Sequence, residues 1–200
     1  MKINIESYNK DWPVQFRKLK KEILILLKEF DPVIEHFGST AVPGLSAKPV
    51  IDILVGIENT HCFSQIVELI LQHKSYLYYQ VFDNEIANRR LFVRLKDDVD
   101  YSEFDNVLAE FETIPHDKIN QARIAHIHIW EYNSPDWIRH VAFRDYLLSH
   151  DVVRKKYGTL KKGLGEKEWK HGMEYNDQKN AFIKIEEAKA IAWYHSQNDI

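Results

Sequence analysis

At 200 residues the chain has the size of one domain, and its net charge of −3, with ten histidines neutral, lacks the basic excess of a general nucleic-acid binder. Hydrophobic residues make up 44% and charged residues 28%, an ordinary globular balance. The single cysteine, Cys62, excludes an intramolecular disulfide and a cysteine zinc cluster, and it reads as a buried thiol in a reducing cytoplasm. The polar start MKINIESYNKDW is no signal peptide and no run approaches a membrane span, so the expectation is a cytoplasmic protein without a membrane partner.

Residues 12–30 read as a helix. Asp11 suits the N-cap and Pro13 the first turn, and Phe16, Leu19, Ile23, Leu26, Leu27 and Phe30 recur at helical steps. Val33 to Phe37 is a short strand candidate, followed by a Gly/Ser/Pro-rich loop from Gly38 to Pro49. Val50 to Ile57 is apolar and rich in β-branched residues, as a buried strand is, with one charge, Asp52, inside it. Residues 61–73 predict a second helix; Tyr76–Phe82 and Arg90–Leu95 predict strands. Residues 96–121 are acidic and weakly patterned, with a short helix expected around 101–111. Ala125 to Glu131 alternates as a strand with one polar face. Beyond Ser134-Pro135, an N-cap and first helical position, the pattern is helical over 136–149, 151–162 and 175–194.

The loop after the first strand has the composition of a phosphate cradle. Gly38 and Gly44 let backbone N–H groups approach an anion, Ser39 and Thr40 add hydroxyl donors, and Lys48 adds a point charge. An acid such as Asp52 in an apolar strand is costly to bury unless it is paired or binds a metal. The plainer reading keeps the glycines as turn residues and Asp52 as a capping or ion-pair group; the spacing is not that of a P-loop. His126 and His128 are two apart on a strand and so share a face, as metal-binding, core or phosphate-contacting imidazoles. Glu131 is a further candidate metal ligand if the strand end re-aims it. Arg90 and Arg144 are candidate phosphate contacts, with an Arg144–Asp145 pair as the alternative, and Lys179 shares a helix face with Tyr175. Trp130, Trp137 and Phe143 read as core. Arg154, Lys155, Lys156, Lys161 and Lys162 fall within nine residues, as either a solvated helix face or an anion-attracting rim.

The combination resembles the GrpB family, a branch of the nucleotidyltransferase superfamily. The matching elements are Gly38-Ser39-Thr40, Val42-Pro43-Gly44-Leu45, Lys48-Pro49 and Ile51-Asp52-Ile53. A second block matches at His126 and His128, Ser134-Pro135, Trp137 and His140 to Leu147. Tyr157, Lys161, Tyr175, Lys179 and Phe182 are similar to the family's spaced tyrosines and lysines.

The resemblance implies an α+β (mixed α/β) fold with a nucleotidyltransferase-like mixed sheet, flanking helices and a C-terminal helical segment. It implies a single domain over 1–200: a core over 1–132, an insertion over 97–124, and a helical part over 133–200. It implies a Gly-Ser pair holding a triphosphate and strand carboxylates holding magnesium. The ligand is then a nucleotide or phosphorylated small molecule, and the cofactor a divalent metal, magnesium or manganese, with zinc an option.

The catalytic candidate is Asp52. The phosphate candidates are Gly38, Ser39, Thr40, Lys48, Arg90, Arg144 and Lys179. The metal candidates are Asp52, His126, His128 and Glu131. The superfamily's second strand acid would stand at Leu54, so the carboxylate set is incomplete. Three activities follow as expectations: metal-dependent nucleotidyl or phosphoryl transfer, a non-catalytic metabolite-binding module related to coenzyme A metabolism, and a histidine-metal hydrolase.

Overall fold

A computed structural model describes residues 2–84, 86, 88–169 and 172–198. The chain forms, in order, α1 (Trp12–Leu26), β1 (Val33–Phe37), β2 (Ile51–Ile57), α2 (Phe63–Leu71), β3 (Tyr76–Tyr78), β4 (Arg89–Leu95), α3 (His116–Ala122), β5 (Arg123–Glu131), α4 (Pro135–Ser149), α5 (Asp151–Gly165) and α6 (Gly172–Asn198). The five strands lie in one sheet in the order β1-β2-β5-β4-β3, with β2 parallel to β5 and β4 antiparallel to both β5 and β3. This is the mixed α/β architecture that the family resemblance implied. Among the described residues no helix is long and apolar enough to cross a membrane.

Several elements end earlier than their periodicity suggests. The first helix stops at Leu26, and Lys28–Phe30 tightens into a 3-10 turn before the left-handed Asp31 and the proline after it. The strand at Tyr76 breaks after Tyr78, where Gln80–Phe82 forms another 3-10 turn. The helix expected over 101–111 is absent: two 3-10 turns, Tyr101–Glu103 and Phe111–Thr113, flank an extended stretch. Cys62 is half-buried rather than buried, since it ends a short 3-10 turn ahead of α2.

The chain divides into two compact units that interleave in sequence. One comprises Val14–His36 and Val50–Trp137 and contains nearly the whole sheet. Strand β2 has Ile51, Ile53, Leu54, Val55 and Ile57 all at 1% exposure or less, and Asp52 alone is half-buried. In β5 the alternation is clean: Ala125, Ile127 and Ile129 are buried, while His126 and His128 are intermediate.

The acidic segment after β4 contributes to this unit's core. Leu108, Ile114, Ile119 and Ala122 bury against Leu77, Tyr79, Val93 and Leu95. Its backbone is pinned to the end of β3 by Tyr78 N–H to Asn106 O at 2.8 Å and Leu108 N–H to Tyr78 O at 2.8 Å. On the other sheet face, Arg94 ties α1 to the strands. Its Nε donates to Glu22 Oε1 at 2.9 Å and its guanidinium to Asp97 Oδ1 at 2.7 Å, while Tyr76 Oη donates to the same Glu22 oxygen at 2.6 Å. Burial opposes the Arg94 charge, but its hydrogen bonds to Glu22 and Asp97 outweigh that and push its pKa up.

The other unit comprises Met1–Pro13, Phe37–Pro49 and Ile138–Ile200. Val42, Leu45, Leu147 and Tyr157 form its main cluster, joined by Phe143, Phe182 and Ile183. The N-terminal segment is stitched to the Gly38–Pro49 loop by reciprocal bonds between Glu6 and Ala47 at 2.9 and 3.0 Å.

Gly56 is a packing constraint in the sheet unit. A Cβ there would sit 2.8 Å from ring carbons of both Trp137 and Tyr132. The indole of Trp137, 5% exposed, thus packs closely against the strand. Gly56→Ala is expected to cost about 1–3 kcal/mol, the usual penalty of overpacking. Urea denaturation checks this, and an unchanged midpoint would contradict the close approach.

Candidate functional site

Asp52 stands opposite His126 in the parallel β2–β5 ladder, and Leu54 stands opposite His128. Strand side chains alternate, so Asp52, His126 and His128 emerge on one sheet face. Asp52 Oδ1 lies 3.1 Å from His126 Nδ1, and the two imidazole centroids are 6.3 Å apart at 82°. A donor atom from each of the three residues falls within 4.8 Å of the other two. Donors about 2 Å from a shared ion lie roughly 3–4 Å from one another, so a small adjustment closes this set on a metal. Two nitrogens and one oxygen suit zinc, manganese or iron better than magnesium, which prefers all-oxygen octahedra. Leu54, fully buried, stands opposite His128 where a second carboxylate was expected.

Glu131 does not join this set. It pairs with Ile57 on the opposite face of the sheet and is exposed, because no irregularity at the strand end turns it back. Arg90 is also on that opposite face, opposite Ile129. It lies 5.4 Å from the Phe63 ring, with Nε 3.6 Å from Asp83 Oδ2, and so anchors α2 and the loop after β3.

The loop residues build a separate constellation within the other unit. Gly38 has φ 70° and ψ −168°, a region open in practice only to glycine, and it precedes a 3-10 turn over Ser39–Ala41. Ser39 Oγ accepts a hydrogen bond from Lys161 Nζ at 2.8 Å. Lys161 is 2% exposed, and its ammonium lies 4.4 Å from the Tyr157 ring centroid. Because the ammonium donates to the Ser39 oxygen, the serine proton remains available as a donor, the polarity an anion requires. Lys48 and Lys179 both stand over the Tyr175 ring, at 4.7 and 4.8 Å. Burial raises the Tyr175 pKa to about 12, so the phenol stays neutral beneath the two cations. Thr40 is buried at 1% exposure. Arg144 Nε bonds the neighbouring Asp145 at 2.7 Å, the ion pair that was the alternative to a phosphate clamp.

Two further residues stand at these sites, Lys161 and Arg123. Lys161 belongs to the basic run, yet it is the one that turns inward; its four-residue step from Tyr157 was the available signal. Arg123 opens β5, and nothing in the sequence marks the strand irregularity that aims it.

A family model described as GrpB protein matches residues 2–189. The UPF0157 protein YqkA of Bacillus subtilis is 30% identical over 198 residues, which is 99% of this chain and 50% of the relative. The chain thus spans about half the length of that relative. The glutamate-rich protein GrpB of Alkalihalophilus pseudofirmus is 29% identical over 177 residues, 88% of this chain and 89% of its own. A crystal structure of the conserved protein GrpB from Enterococcus faecalis matches with a TM-score of 0.74 at 29% identity, covering 96% of this chain and 99% of that one.

Gly38→Ala is expected to cost about 1–3 kcal/mol through backbone strain alone. The check is chemical denaturation with a Gly38→Ser control, which should lose as much. Full stability in both would contradict the strained turn.

Proposed function

The chain belongs to the GrpB family, and from that premise we propose a nucleotidyltransferase-like protein that binds a divalent metal and a nucleotide or other phosphorylated small molecule. The observation that carries this reading is the convergence of Asp52, His126 and His128 on one face of the sheet. These three would hold the ion, and their two imidazoles favour manganese or zinc over magnesium. A bound ion would supply positive charge to a phosphoryl oxygen, the usual contribution of a metal to nucleotidyl or phosphoryl transfer.

The other unit carries anion-binding groups of its own. There Ser39, whose oxygen accepts from Lys161, keeps its proton to donate to a phosphate. Lys48 and Lys179 bring two positive charges over a neutral phenol, which favours a ligand with more than one phosphate charge. Asp52 holds the metal and fixes the orientation of His126.

The imidazole-rich donor set also favours a second reading, a histidine-metal hydrolase, because two histidines and a carboxylate are a known zinc hydrolase set. Phosphodiester hydrolysis without transfer to an acceptor would select it.

The test combines metal analysis with calorimetry. Wild type is expected to bind about one manganese or zinc ion per chain, and Asp52→Asn and His128→Ala to weaken binding at least tenfold. Titration with ATP in the presence of manganese should show binding that Lys161→Gln weakens. Equal metal uptake by wild type and both triad variants would overturn the metal assignment. ATP binding unaffected by Lys161→Gln would overturn the phosphate assignment.

A further inference from the structure

The pairing of β4 with β5 slips at one point. Val93 stands opposite His126 and Arg94 opposite Ala125, but Leu95 stands opposite Arg123. Ile124 is therefore an extra residue, and the strand carries a β-bulge there. Without the bulge, Arg123 would share the face of Ala125, away from the histidines. With it, Arg123 takes the face of Leu95 and Val93, which is the face of His126 and Asp52. Bulges of this kind commonly re-aim a side chain beside a functional site.

Arg123 carries one buried donor without a partner among the described residues. Its Nε is buried and makes no hydrogen bond, and no ion pair joins Arg123 to any described residue. A buried, unsatisfied guanidinium N–H costs free energy that a native structure normally avoids. Burial lowers the Arg123 pKa, and the Asp52 carboxylate opposes that shift. An arginine stays protonated through such a shift, so the group is a fixed positive charge within the field of Asp52. Asp52 and Arg123 together are formally neutral, and a divalent ion on the triad would leave that face with an excess of two positive charges. Such a face requires an anion, and a planar guanidinium presents parallel donors that match a phosphate edge.

We propose that Arg123, turned by the bulge at Ile124 onto the face of Asp52, His126 and His128, is the substrate-phosphate anchor of the metal-bearing half of the protein. This rests on the metal reading given above. Arg123 grips one phosphate of the ligand beside the ion and so sets which phosphate faces it. The family-type lysines of the loop and C-terminal helices are a different set of contacts, carried by the other unit.

Cobalt substitution reads the two claims apart. Cobalt(II) is a spectroscopic stand-in for zinc, and its visible bands report anions that enter its surroundings, not anions held elsewhere. In wild type, inorganic phosphate should shift those bands in a saturable manner. Arg123→Gln should keep cobalt affinity within about threefold and keep the thermal unfolding midpoint, yet need at least tenfold more phosphate for the same shift. Arg123→Lys, which keeps the charge without the fork, should recover part of that loss; it also serves if the glutamine variant fails to fold. A phosphate response unchanged in both variants, with cobalt still bound, overturns the Arg123 assignment and leaves the metal site standing. A fall in unfolding midpoint in both variants assigns Arg123 a structural role and overturns the anchor. Cobalt uptake that is absent in wild type, or equal in Asp52→Asn, overturns the metal reading and the anchor with it.

Discussion

A carboxylate inside a strand that is otherwise fully buried is the constraint on which the site depends. The β-branched residues around Asp52 lose water contact almost completely, and an ionised group among them must find a partner. The parallel pairing of β2 with β5 supplies one, His126, directly across the ladder. That register also places His128 beside Leu54 and Trp130 beside Gly56. Sliding β5 by one residue would turn both histidines to the opposite face and leave Asp52 against Ala125 or Ile127. The packing that holds the register therefore holds the chemistry.

That packing comes from unequal sources. Trp137 lies on Gly56 at a distance that admits no side chain, which fixes the end of β2 away from Asp52. The acidic segment after β4 buries Leu108, Ile114 and Ile119 on Val93, the neighbour of His126. It thus walls the same sheet face that carries the triad. On the reverse face, the Arg94–Glu22–Tyr76 cluster fixes α1 with charge-assisted bonds whose geometry is directional where apolar contacts are not.

Much of this was legible in the sequence because burial and periodicity are local signals. The run from Val50 to Ile57 announces a buried strand, and the alternation from Ala125 to Glu131 places both histidines on one face. The glycine-rich loop announces turns, and Gly38 adopts a conformation closed to other residues. What stayed hidden depends on pairing between distant strands. Arg123 reaches the histidine face only because Leu95 pairs with it across a bulge, and Glu131 misses that face because the far end of β5 has none. Arg90 shows the same logic, since which face it occupies follows from its opposite number, Ile129. Lys161 turned inward where its basic neighbours suggested a solvated face, because Tyr157 and Ser39 receive it.

The most direct measurement is crystallography of the zinc- or manganese-loaded protein with anomalous scattering at the metal edge. One peak is expected, about 2.0–2.2 Å from Asp52 Oδ1 and from a ring nitrogen of each of His126 and His128. A loaded crystal whose metal lies elsewhere, with the Asp52–His126 hydrogen bond intact and His128 turned away, would contradict the account.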